Sequence, residues 1–464
     1  MNPFAHPTFS GNIGVARRDI TPPVGIYARN WGAAVHDVAE GVHRPLTATA
    51  FVLAPSPVFR SDGGGGYFVI VSLDLGWWRT PEDEWALRGA LIRECQLDSA
   101  HVLVHLTHTH AGPALCRADA DKSGGHLIAP YLAQVQQAVV EAVREATTNA
   151  APASLEWAYG KCALAQNRDL VDPENPARTV CGWNPNATAD DTLLVGRATD
   201  EAGRVITTLV NYACHPTTLA WQNKFISPDF VGAMRETVET NAGGLCLFLQ
   251  GASGELSPVE QYTGDSAIPD KHGRMLGYAV LSTLAGMLPP RTQLGYSGVV
   301  ESGAPLAIWE RQPAQASSNL RALQATVEIE LKHDLPALAQ IESELSLATD
   351  AFLIERLRRK TRVRRAVGNA ASTPLPVWVW QVGGCIVIAQ ANEAYSALQT
   401  ELRARFPGKA IVVMNMTNGP HCGYLPPRKL YNQDLYQVWQ SPFAAGCLEQ
   451  MIETCADAIS EMVM

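Results

Sequence analysis

Two histidines one residue apart, His108 and His110, close the segment Leu103-Val104-His105-Leu106-Thr107-His108-Thr109-His110, and Gly112-Pro113 follows. The apolar alternation of Val102, Val104 and Leu106 predicts a strand that the Gly-Pro pair stops. Strand side chains alternate sides, so both imidazoles are expected on the face of Val104 and Leu106, roughly 6–7 Å apart along the strand. Two imidazoles at the mouth of a core can hold a metal, or one can hold it while the other handles protons. They can also be satisfied histidines at a partly buried strand end. On this strand geometry a ligand at both positions would force the strand to curl around the ion. One ligand and one neighbouring base is the more relaxed arrangement.

Other polar residues of metal-binding type follow apolar strands, where α/β proteins place their sites. His215 follows the strand ending at Tyr212, Glu393 follows the one ending at Gln390, and Tyr424 lies in the loop after Met414. With His108 they offer two imidazoles, a carboxylate and a phenolic oxygen, a set that zinc accepts. Singly, each has a structural alternative. His215 before Pro216 would bond a loop carbonyl, Glu393 would complement the dipole of a helix it opens, and Tyr424 would be a packed aromatic. Spacing alone does not bring the four together.

The elements that must position these residues alternate between strand and helix. Leu46 to Leu53 and Tyr67 to Leu73 are expected to pair across a loop holding Gly63 to Gly66. Thr80 to Gln96 and Pro130 to Ala146 have helical spacing. Val205 to Tyr212 and Leu245 to Leu249 are strands. Between them Ser227-Pro228-Asp229 signals a helix with Ser as cap and Pro at its first position. Arg274 to Met287 is a further helix. The loop from Asp169 to Asp191 is long enough to be a site wall. Pro376 to Val382 and Cys385 to Gln390 make a hairpin over Gly383-Gly384. Ala410 to Met414 is a strand, and Pro442 to Met462 a closing helix. Leu335 to Ala366 reads as a helical hairpin with seven Lys or Arg between Arg356 and Arg365, expected as a solvated face paired with nearby Glu and Asp. The fold class is therefore α/β: one large domain over 1–464, mixed β-sheets flanked by helices, with a metal site at strand ends.

Composition narrows the function classes. A net charge of -9 gives no global drive toward nucleic acid. No apolar run reaches a membrane-spanning length. The ten cysteines are scattered without a Cys-x-x-Cys pair and read as reduced thiols. With no secretory signal visible at Met1 to Pro7, a cytoplasmic enzyme is expected, export being left open. So is homo-oligomerisation.

The combination of motifs resembles the catalytic domain of the neutral/alkaline (non-lysosomal) ceramidases. The resemblance is carried by Thr107-His108-Thr109-His110-Ala111-Gly112-Pro113, Asn167-Arg168, Asn211-Tyr212-Ala213-Cys214-His215-Pro216-Thr217, Asn392-Glu393 and Gly423-Tyr424-Leu425-Pro426. Gly254-Glu255-Leu256-Ser257-Pro258 stands where that family usually shows Gly-Asp-Val-Ser-Pro. The resemblance implies a zinc hydrolase cleaving the amide of an N-acyl substrate in sphingolipid metabolism. It also implies Zn2+ held by His108, His215, Glu393 and Tyr424, and His110, Arg168 and Ser257 as catalytic residues. Zinc lowers the pKa of a water toward neutrality. His110 would take its proton, Arg168 would face the developing oxyanion, and Ser257 would assist by hydrogen bonding. Asp37, His43 and Asp229 are weaker candidates for supporting roles. The immunoglobulin-like domain that usually follows in that family is not expected here. Three alternatives to a lipid amide remain. One is a small soluble amide or ester such as an acylated amino sugar, another a barrel-type metal amidohydrolase, and the third a non-catalytic metal-containing binding protein.

Overall fold

The computed structural model describes residues 3–55 and 66–463; Gly63 to Gly65 of the expected glycine loop lie outside them. The larger of its two main sheets has eight strands. In spatial order they are Leu245–Gln250, Val205–Tyr212, Thr192–Asp200, Ala151–Lys161, Thr8–Asp19, Thr47–Ala54, Phe68–Leu73 and Val102–Leu106. The outermost pair at each edge is parallel and the pairs between are antiparallel. The smaller sheet orders Leu320–Glu330, Ser372–Val382, Cys385–Ala389 and Ala410–Met414.

Alternation along the strands decides which layer each face meets. Val69, Val71 and Leu73 point toward the helices Pro81–Cys95 and Ile128–Thr148. Phe68 and Ile70, between them, point toward Trp378 and Trp380 of the smaller sheet. Val377 and Val379 in turn face the helices Ala397–Arg405 and Cys447–Val463. A second pair of helices, Phe230–Ala242 and Ala267–Gly286, covers Val195, Val210 and Phe248 at the other end of the large sheet. The layers run helix, sheet, sheet, helix, as the mixed α/β reading expects.

The large sheet curls until its two edges approach each other. The Ser72 hydroxyl donates to the Phe248 carbonyl at 2.8 Å, and the Gln250 N–H donates to His105 Nε2 at 2.9 Å. His105 is thus a core histidine, held neutral by burial, which lowers its pKa to about 3. This closure carries the loop after Leu106 to the loop that follows Gln250.

Several sequence expectations need correction. The strand before the histidine pair stops at Leu106, short of both histidines; beyond it the N–H groups of Thr107 and His108 donate across to the carbonyls of Leu73 and Leu75. Asp229, not Ser227, caps the helix Phe230–Ala242, its carboxylate accepting from the N–H groups of Leu219 and Phe230. Glu393 does not open a helix. Glu393–Ala394 makes a two-residue parallel ladder with Tyr424–Leu425, and the helix begins at Ala397. The helix expected from Arg274 starts at Ala267, and the closing helix starts at Cys447. The exposed hairpin Thr292–Glu301 with Pro305–Pro313 carried no expectation. The basic segment forms the helix Ala351–Val367 with Arg356, Arg358 and Arg365 exposed, as expected of a solvated face; among the described residues Arg359, Arg362 and Arg365 pair with carboxylates there. All ten cysteines are free thiols, and among the described residues no helix is long and apolar enough to cross a membrane.

Candidate metal centre

The turn after Leu106 replaces the expected pleat spacing with a tighter arrangement. His108 adopts a φ of 72°, a left-handed conformation uncommon outside glycine. The two imidazole centroids come to 4.8 Å, in an edge-on pair. The two histidines therefore lie beyond the strand and are not one pleat apart, as strand geometry would place them. His108 Nδ1 donates to the Gly76 carbonyl at 3.2 Å, which leaves Nε2 as the bare nitrogen. Gly76 is needed there, since a Cβ would sit 2.9 Å from the Thr109 carbonyl. His110 is half-buried between Trp31 and Trp77, at centroid distances of 5.2 and 4.9 Å. Burial and the neighbouring His108 and His215 lower its pKa well below the usual imidazole value.

His215 comes from the other side of the curled sheet. Its Nδ1 donates to the Ser253 carbonyl at 2.6 Å, which pins the tautomer and turns Nε2 toward His108. Burial, then the charge of Arg168, lowers its pKa to about 4. Candidate ligand atoms of His108, His110 and His215 all lie within 4.8 Å of one another.

Glu393 joins them from the smaller sheet. One carboxylate oxygen lies 2.6 Å from His215 Nε2 and 3.5 Å from His108 Nε2. The other lies 2.8 Å from His421 Nε2. Burial works to raise the pKa of Glu393, but His108 and His421 outweigh it and hold the carboxyl well below its ordinary range. The ladder with Tyr424 sets the phenol beside this carboxylate, and burial together with Glu393 raises the phenol's pKa well above 10. Arg168 reaches in from behind. Its guanidinium donates to the Gly254 carbonyl at 2.7 Å and to the Tyr424 hydroxyl at 3.3 Å, with His215 Nε2 also at 3.3 Å.

These residues fit a divalent transition metal. Nε2 of both His108 and His110 is buried without a hydrogen-bond partner, an unfavourable state for a nitrogen that faces nothing else. Two of the three imidazoles have the opposite nitrogen tied to a backbone carbonyl, as metal-binding histidines do. The nitrogen and oxygen donors suit zinc and its neighbours.

Ser257 lies in a two-residue ladder opposite Gln166, beside Leu256, whose carbonyl accepts from the His215 N–H, and its hydroxyl is buried without a partner. The weaker candidates have other partners. Asp37 pairs with Arg29, His43 bonds Ser227 and Asp270, and Asp229 is the helix cap already described, its pKa raised to about 6 by burial. His421 is the residue the sequence reading missed. It sits three positions before Tyr424, in a loop that Asn418, Gly419 and Gly423 carry through positive φ. That spacing was the available signal.

A cavity of about 160 Å³ gives access to the cluster, walled by Trp31, Trp77, His108, His110, Glu393 and His421 among others. It shares Gly32, Glu355, Arg359, Val363, Tyr436 and Gln440 with a larger cavity of about 600 Å³ under the basic helix.

Comparison with known proteins places the chain in a family and a fold. The family described as neutral/alkaline non-lysosomal ceramidase, N-terminal, matches residues 12–254. That stretch contains His108, His110, Arg168 and His215, whereas Glu393, His421 and Tyr424 lie beyond it. A search of curated proteins found no match. Neutral ceramidase from Pseudomonas aeruginosa is similar in fold, with a TM-score of 0.66 at 15% identity, over 98% of this chain and 74% of that one. A ceramidase structure described as complexed with C2 is similar at a TM-score of 0.68 and 15% identity, over 99% and 76% of the two chains. With its family match covering more than half of its length, the chain belongs to the neutral/alkaline non-lysosomal ceramidase family and is an amide-bond hydrolase.

Proposed function

We propose that the protein is a zinc-dependent amidohydrolase acting on an N-acyl substrate of the ceramide type, with 1–464 as its catalytic domain. The observation that carries this reading is the convergence of two carbonyl-tethered imidazoles, His108 and His215, on the buried carboxylate of Glu393. These three would hold the ion, with the Tyr424 phenol beside Glu393 as the fourth donor. Zinc bound there supplies Lewis acidity, polarising the acyl carbonyl and lowering the pKa of a water toward neutrality.

The chain's own residues do the rest. His110 contacts neither Glu393 nor a carbonyl tether, and it faces the cavity between two tryptophans. Its unpartnered Nε2 accepts the proton of the attacking water and returns it to the leaving nitrogen as the C–N bond breaks. Arg168, fixed on the Gly254 carbonyl, presents a buried cation to the oxygen where negative charge develops. His421 holds the outer oxygen of Glu393 and so fixes which oxygen the ion meets. Trp31, Trp77 and Tyr436 wall the cavity with apolar surface that excludes water from the reacting bond.

Dialysis against a chelator, followed by titration with zinc, tests the reading. Hydrolysis of N-acyl sphingoid or N-acylethanolamine substrates is expected to vanish and to return with one equivalent of zinc. Turnover that survives complete removal of metal would refute it.

A further inference from the structure

The helix Ala351–Val367 places Arg356, Arg359, Lys360 and Val363 along one face, at the i, i+3, i+4 and i+7 spacing of a single stripe, and that stripe walls the 600 Å³ cavity. Six cations line this cavity against two carboxylates, Asp37 and Glu355. Those carboxylates are already committed, Asp37 to Arg29 at 3.2 Å and Glu355 to Arg359 at 3.0 Å. Among the described residues, Arg356, Arg358 and Lys360 pair with no carboxylate. Arg356 instead stacks over Trp439 at 4.8 Å. The remaining walls include Leu335, Ile354, Trp439 and Pro442, so the space is apolar in body and cationic on one side. The helix is fixed over the mouth: Arg362 and Arg79 share Asp119, at 2.7 and 3.0 Å, and Arg79 also holds Asn30 in the metal cavity's wall. Arg359 belongs to the walls of both cavities and marks the passage between them.

Arg356 and Arg358 keep access to water, as on a solvated face, yet the same side chains line the cavity. Here a chain with a net charge of -9 concentrates unpaired cations against a cavity that leads to its own catalytic centre. A neutral N-acyl lipid gains nothing from them. We infer that the substrate of this enzyme is an amphiphilic anion, an N-acyl compound whose carboxylate, phosphate or sulfate is held by Arg356, Arg358 and Lys360 while its amide lies at the metal centre. This rests on the amidohydrolase reading above and departs from its uncharged ceramide type in one respect, the charge carried by the N-acyl substrate.

The test uses the zinc-loaded full chain and monomeric substrates in matched pairs. One pair varies the amine half, N-dodecanoylglycine against N-dodecanoylethanolamine. The other varies the acyl end, the ethanolamide of dodecanedioic acid against that of dodecanoic acid. In at least one pair the anion is expected to have the higher kcat/KM by about tenfold, the advantage shrinking as salt is added. The triple variant Arg356→Ala, Arg358→Ala, Lys360→Ala should lose that advantage and keep its rate on the neutral partner. Equal rates in both pairs, or a preference untouched by the triple variant, overturn the proposal. So does a lipid-surface role, seen as sedimentation with phosphatidylglycerol vesicles that the triple variant loses, with no preference among monomers. Calorimetry with the same pairs separates the two layers of the argument. Selective binding of the anion without turnover keeps the anion site and sinks the hydrolase reading; turnover without selectivity does the reverse.

Discussion

The two walls of the metal centre are built in different ways. On one side His108, His110 and His215 follow the ends of strands of the large sheet, and two of them are tied to backbone carbonyls of neighbouring segments, Gly76 and Ser253. On the other side Glu393, His421 and Tyr424 hang on a two-residue ladder and a loop with four positive-φ residues, Met416, Asn418, Gly419 and Gly423. The first wall is pre-oriented by the backbone itself. The second depends on the side chains holding one another, through the contacts of Glu393 with His215 and His421. An ion held as proposed would take its position from the strand-end histidines, and the ladder side would balance its charge.

The comparison predicts a gradient of effects. His215→Ala or His108→Ala removes a pre-oriented nitrogen and should abolish zinc binding and nearly all activity. Circular dichroism should show the fold kept, because a core with Trp378, Trp380, Phe51 and Phe248 fully buried does not depend on one ion. Stoichiometric zinc in either variant would break the assignment. His110→Ala should keep zinc and lose activity by roughly 10²–10⁴-fold, the span for losing a general acid and base. Its metal content is the deciding measurement. With the strand premise gone and the three imidazoles within 4.8 Å, an empty site would make His110 a ligand in place of Tyr424. The smallest effect is expected at His421→Ala, a loss of about 10–100-fold in zinc affinity, the range for removing a group that orients a ligand. A loss as complete as that of His215→Ala would show that the ladder side is as indispensable as the strand ends.

Legibility follows the same division. The Thr80–Gln96 helix, the hairpin over Gly383-Gly384 and the strand Ala410–Met414 were readable, since each depends on local periodicity and turn chemistry that the structure preserves. Glu393 was identified, but its local structure was read as a helix start. Its ladder partner lies thirty-one residues away, so no local pattern reports it. His421 was passed over because a histidine in a glycine-rich loop has no periodicity to declare a direction. The basic helix is legible as a helix with exposed and partly ion-paired cations, but helical spacing does not report that its stripe also lines a cavity.

The sequence alone determined the alternation of strands and helices, the His-x-His and Cys-His-Pro motifs at strand ends, and the nitrogen and oxygen donors those motifs offer. Those are short-range matters of residue type and spacing. Only the tertiary structure decided that His108 leaves its strand in a left-handed turn, that curling of the large sheet brings the loops of His108 and Ser253 together, and that Glu393 meets both histidines from a different sheet. These depend on closing contacts between residues more than a hundred positions apart, whose positions relative to one another are set by packing rather than by any neighbour in the chain.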